Sequence, residues 1–239
     1  MPDIRNDFSK EEHVDVGALE WVPSPAVGVE RRMLERIGDE VARASTVVRF
    51  AKGRSFDHHV HTGGEEYLVL EGCFSDSSGD YRKGTYVRNK INSAHQPWAG
   101  DDEQCQIFVK LRQMWDEEEE SVVVDMMDGD AEWTAAPGGG KTRTLFHNGK
   151  TKEHVWLLKL DDGERATFGV HEGGMELLVL EGGFSDADAP SFGRQVWHRF
   201  PTSAAGRPLS WTAGPEGALV WVKSHHLDVK VLEACGYAE

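Results

Sequence analysis

The chain states one segment twice. "VHTGGEEYLVLEGCFSD" at 60–76 and "VHEGGMELLVLEGGFSD" at 170–186 agree at thirteen of seventeen positions without a gap. The offset of 110 also holds upstream, where Gly53 falls on Gly163. Further out, "LEWVPSP" (19–25) resembles "AEWTAAP" (131–137), and "CQIFVKL" (105–111) resembles "ALVWVKS" (218–224). Self-similarity over this length means two copies of one domain and not a solenoid of short repeats. A chain of 239 residues is long enough to bury two cores. The acidic run "WDEEEE" (115–120) reads as a solvated connector, which puts the domains at 1–118 and 119–239.

Within each copy the segments are short, rich in Val, Leu, Phe, Trp and Thr, and bounded by Gly, Pro, Asn or Asp. "ARASTVVRF", "EYLVLEG", "GTYVRN" and "QCQIFVKL" all read as strands between turn signals. Helical periodicity is missing apart from a short turn at the acidic seam or in the tail "SHHLDVKVLEACGY". Regularly spaced strands of this kind predict an all-β fold, a sandwich or barrel in two halves.

Composition narrows the partners. A formal charge of −15 argues against nucleic acid and against an anionic membrane surface, since Lys and Arg supply most phosphate affinity. No stretch approaches the roughly 20 apolar residues that cross a bilayer. The opening "MPDIRNDFSKEEHVDV" is polar and acidic, unlike a secretory signal. Cys73, Cys105 and Cys235 form no Cys-x-x-Cys pair, which suits a reducing compartment, with the cytoplasm as the expectation.

The chemistry concentrates in "DHHVHTGGEEYLVLEG" (57–72). Side chains at i and i+2 of a strand face the same way, so His59 and His61 share a face and His58 points away. Glu65 keeps their parity beyond the Gly63-Gly64 pair, where a bend is permitted. A fourth donor is available in His95 of "NSAHQPW", provided its strand packs beside the first. Three imidazoles and a carboxylate suit Zn, Fe, Ni, Mn or Cu, and a six-coordinate ion would keep two positions free.

These residues resemble the cupins. Gly53, His59, His61, Glu65 and Gly72 match every spacing of that family's first motif, and Gly84 with His95 supplies the second, where "KIN" replaces the usual proline-glycine turn. More narrowly, "GGEEYLVLEG", "FSD", "GDY", "GTYVRN" and "SAHQP" are similar to the ChrR-type cupins, named for an anti-sigma factor whose cupin half binds zinc. Bicupin dioxygenases that cleave diketone-like substrates carry a similar motif. The resemblance implies a bicupin of two tandem jelly-roll-type β-barrels with a metal inside the leading barrel.

The offset of 110 carries His59 to Gly169, Glu65 to Met175 and His95 to Ala205, while His61 alone keeps its counterpart, His171. The scaffold letters persist and the ligand letters do not, so the expectation is one divalent ion (Zn, Fe, Ni or Mn) per chain, in the leading barrel. Glu66 and its counterpart Glu176 survive in both copies, which marks Glu66 as structural, bonding a loop backbone. His58 is a reserve ligand, and Tyr67 and Tyr86 are candidates for the pocket wall. His154, His171, His198, His225 and His226 share no uniting spacing.

Three readings follow from the resemblance. One is a metal-dependent dioxygenase acting on a small chelating substrate. Another is a non-catalytic zinc-binding sensor, without the sigma-binding domain, since the first cupin begins by about residue 15. The third is a bicupin scaffold that binds a small ligand without chemistry. No catalytic residue beyond the ligands is singled out. A homodimer joined through sheet edges is a further expectation, with the tail "LDVKVLEACGY" able to cover one edge.

Overall fold

The computed structural model of the chain describes residues 3–39, 41–114, 120–186 and 191–237. Most of the acidic seam, 115–119, lies outside the described residues. The structure is all-β but for two 3-10 turns and one short helix among the described residues. That helix, Val229–Ala234, is capped by Asp228, whose carboxylate accepts from Lys230 N. No helix among the described residues is long and apolar enough to cross a membrane. The three cysteines are free, and burial pushes the Cys105 thiol well above its ordinary pKa.

Two compact units emerge. The first comprises 1–6 and 19–128, the second 7–18 and 129–239. The first unit is built on a seven-stranded antiparallel sheet. In spatial order its strands are Val122–Asp125, Thr85–Asn89, Glu65–Glu71, Cys105–Leu111, Arg43–Phe50, Val29–Ile37 and Val22–Pro23. Trp98–Ala99, Cys73–Asp76 and Gly79–Arg82 form a three-stranded sheet, and His59–His61 pairs with Ser93–His95. The sheets share one core: Val29, Phe50, Tyr67, Val69, Ile107 and Val109 from the large sheet meet Phe74 and Ala99 from the small one. Alternate residues of each strand supply these side chains, as the period of two requires.

The second unit repeats the plan with its strands fused. Met175–Asp186 and Pro208–Ser224 each run through β-bulges as single long strands, where the first copy breaks. Gly72 marks that break, and Gly182 holds the same place in the second copy. Both have positive φ, at 69° and 61°, and a Cβ on either would come within 2.1 Å of a backbone carbonyl oxygen. Only glycine fits.

The leading strands are exchanged between copies. Glu12–Asp15 pairs with Val196–Phe200 in the second unit. Its counterpart at the same offset, Val122–Asp125, pairs with Thr85–Asn89 in the first.

A row of charge is also duplicated. Glu66 stands in register with Arg88 on one side and Lys110 on the other. Glu176 stands likewise between Arg199 and Lys223. All six are almost wholly buried. Glu66 accepts from the Tyr86 hydroxyl at 2.8 Å and pairs with Arg88 at 3.1 Å. These two partners are side chains, where the sequence pointed to a loop backbone. Burying a charge costs several kcal/mol unless it is paired, so the row survives in both copies as a unit.

Candidate metal centre

His59 and His61 occupy alternate positions of one three-residue strand, and the neighbouring strand places His95 opposite His59. Parity and register together turn three imidazoles to one face. The rings form an edge-to-face triangle with centroids 4.6, 4.9 and 5.1 Å apart. One nitrogen from each lies within 4.8 Å of the others.

The Gly63-Gly64 turn brings Glu65 to the same point. Gly64 has φ 71°, and its Cβ position is taken by the Met114 side chain, so the turn is tight and favours glycine. Glu65 opens the next strand with Oε2 at 3.4 Å from His61 Nε2 and 3.5 Å from His95 Nε2, which are themselves 3.0 Å apart. Donor atoms about 2.1 Å from a shared ion stand about 3.0 Å apart at right angles and about 3.4 Å apart at tetrahedral angles. The spacing of His61, His95 and Glu65 fits one transition-metal ion, with His59 grouped with the other two imidazoles.

Hydrogen bonds behind the cluster fix its tautomers. His59 Nδ1 lies 2.7 Å from the Asp57 carbonyl, which can only accept, so Nδ1 carries the proton and Nε2 is left bare. His95 Nδ1 donates to Asp76 Oδ2 at 2.9 Å with the same result. Asn89 Nδ2 donates to Glu65 Oε2 at 3.0 Å and holds the carboxylate in place. Burial is the main cause that lowers the His61 pKa; the His59 and His95 charges add to it and Glu65 opposes it. The net effect keeps that ring neutral, the form that can coordinate.

His59, His61 and His95 thus form one metal-capable group, and Glu65 stands beside two of its members, His61 and His95. His58 is exposed and takes no part. Tyr67 is buried in the core, with its hydroxyl unpartnered among the described residues. Burial first, and then the nearby Glu65 charge, raise its pKa and keep it protonated. Tyr86 is committed to Glu66. Asp76 and Asn89 were not singled out by the sequence reading. Asp76 recurs as Asp186 in the second copy, so the copy comparison gave no signal for it.

A cavity of about 330 Å³ adjoins the cluster, lined by His59, His61 and Glu65 and by apolar side chains including Phe50, Phe74 and Ile107. The second unit has a cavity of similar size, about 340 Å³, lined by Trp156, Phe168 and His171. There Gly169 faces Pro208 in the sheet, where His59 faces His95. Sheet register therefore makes Pro208, not Ala205, the counterpart of His95, because the connecting loop is longer in the second copy. Neither residue could ligate. His154 and His171 flank Trp156, and His225 lies beside His171. Their ligand atoms do not form a metal-capable group among the described residues.

A family model described as the ChrR cupin-like domain matches 9–115 and again 119–228. Among solved structures, a candidate dioxygenase from Nostoc punctiforme superposes with TM-score 0.69 at 13% identity, covering 90% of this chain and 82% of that one. Ylba of Escherichia coli gives TM-score 0.67 at 12% identity, covering 93% and 94%. The pirin YhhW of Escherichia coli, in complex with nickel(II), gives 0.64 at 10% identity, covering 90% and 99%. At such identities the likeness is one of fold. No curated protein matches the chain.

Proposed function

Because the chain belongs to the ChrR cupin-like family, we propose that it is a metal-dependent enzyme of dioxygenase type, acting on a small diketone-like molecule that chelates through two oxygens. His59, His61, Glu65 and His95 would hold one divalent ion. The observation that carries the reading is a group of three histidines, two of them with Glu65 Oε2 close by, at the wall of a cavity. A purely structural ion has its coordination closed by protein and needs no adjoining cavity, whereas a catalytic one keeps positions open. This favours the enzyme over a zinc sensor.

When bound, the ion supplies Lewis acidity toward a chelating substrate and, if redox-active, electrons for oxygen chemistry. The protein supplies the rest. Asp76 and the Asp57 carbonyl hold the imidazole protons on the far nitrogens, and Asn89 sets the Glu65 rotamer. Phe50, Phe74 and Ile107 take the hydrocarbon body of the substrate and exclude water.

The test is to purify the protein aerobically, measure its metal content, and follow oxygen uptake with a panel of diketones before and after iron reconstitution. Substrate-dependent uptake with stoichiometric metal is expected. Zinc with no uptake, even after reconstitution, would favour the sensor. Full metal occupancy in His95→Ala would remove the ligand assignment.

A further inference from the structure

The cavity beside the histidine cluster carries a charge imbalance. Arg31, Arg36 and Arg112 line it, and among the described residues Glu65 is the one acidic group of the lining, in a chain whose formal charge is −15. A concentration of cations so far against the overall sign needs a local cause.

The backbone shows how one of these cations arrives. Along Val29–Ile37, residues in register with Val48 and Phe50 face the cavity, and these are Arg31 and Val29. The ladder slips between Met33 and Glu35, so that Leu34 is an extra residue and Arg36 stands opposite Ala44. An unbroken ladder would put Glu35 opposite Ala44, on the cavity face. The bulge instead sends Glu35 to the other face, where it accepts from Arg43 at 2.6 Å and from Ser45 at 3.0 Å. Bulges re-aim side chains in this way. Here the outcome is an arginine in place of a glutamate on the wall.

Arg36 is only 4% exposed. Its Nη2 donates to the Asp39 carbonyl, and its Nε has no hydrogen-bond partner among the described residues. Arg112 is held at the rim through Thr62, at 2.5 Å. A buried guanidinium with an idle donor, beside a cavity, is suited to a carboxylate. An inorganic anion would leave the apolar wall unmatched, whereas an organic acid matches both.

We propose that the substrate of this site carries a carboxylate in addition to its chelating oxygens, and that Arg31 and Arg36 bind that carboxylate. The inference rests on reading the histidine cluster as the metal centre, and it narrows the substrate class from diketones at large to diketo acids and similar molecules.

The experiment measures equilibrium binding of acetylpyruvate and of its neutral analogue acetylacetone to the metal-loaded protein, to Arg31→Gln and to Arg36→Gln, with metal content determined for each. Wild type should prefer the acid by about ten-fold or more, the scale of a hydrogen bond to a charged group. Both variants should lose that preference with metal content and acetylacetone affinity unchanged. A carboxylate can also reach the ion directly, so the preference counts only where the arginine variants abolish it. Equal binding of the two ligands by wild type, or an undiminished preference in both variants, overturns the proposal. A parallel series uses cinnamate against cinnamamide on EDTA-treated protein, where no ion contributes. A preference for cinnamate that depends on the arginines would survive even if the metal reading fails, so the two failures can be told apart. Should Arg36→Gln not fold, Arg36→Lys must keep the preference for acid, and Arg31→Gln alone must reduce it.

Discussion

Asp76 and Glu66 are both carboxylates kept in each copy, yet they do unlike things. Asp76 fixes the proton of His95, and Glu66 neutralises Arg88 on the other face of the sheet. Asp76→Ala should leave the fold intact and weaken metal affinity about ten- to hundred-fold, the usual effect of losing a carboxylate behind a ligating histidine; a competitive chelator titration would read this. Glu66→Ala should do the reverse. Stripping the partner from a buried Arg88 costs about 3–5 kcal/mol in denaturant unfolding, with metal stoichiometry unchanged. The sequence separated Glu65 from Glu66 by a single comparison, Met175 against Glu176, and the opposite faces of the two side chains explain why that comparison worked. It had no purchase on Asp76, because the second copy retains the aspartate where the histidine it would serve is gone.

Elements do not follow chain order. Glu12–Asp15 opens the first copy but completes the sheet of the second unit, and Val14 is buried there opposite Trp197. Val14→Ala should therefore destabilise the second unit by about 1–3 kcal/mol, as other losses of buried methyl groups do. Hydrogen exchange should show the protection lost from Val196–Phe200 and not from Arg43–Phe50. Loss confined to the first unit would contradict the pairing. Strand identity was legible from alternation and turn residues. The exchange was not, because an edge strand pairs equally well in backbone terms with either copy of a duplicated partner. The bulge at Leu34 was equally hidden: "VERRMLERI" alternates too weakly to show where its parity changes.

At the scale of the molecule, the two units should respond differently to pH. Burial is the main cause that lowers both His154 and His198 to about 4, from an ordinary value of 6.5, and both lie in the second unit. In the folded state these rings stay neutral while the unfolded chain takes up protons below pH 6.5. Stability of the second unit should thus be full above about 6.5, fall as the pH drops toward about 4, and level off beneath. Urea unfolding at a series of pH values, followed by tryptophan fluorescence, would check this; Trp156, Trp197, Trp211 and Trp221 all report from that unit. A flat profile across the window would count against the burial of these rings as the controlling factor. Chelators, by contrast, should act on the first unit, where binding to the native state adds stability.

Local spacing set much of this protein. Periods of two, glycines at turns and a repeat at fixed offset are properties of neighbouring residues, and they carry the all-β character, the duplication and the common face of His59 and His61. What required the tertiary structure was everything that depends on which strand lies beside which. Register brought His95 opposite His59 and Asn89 beside Glu65, packing set Asp76 behind His95, and one inserted residue exchanged Glu35 for Arg36 on the cavity wall. Such pairings are decided by contacts between segments distant in the chain, where spacing along the sequence carries no information.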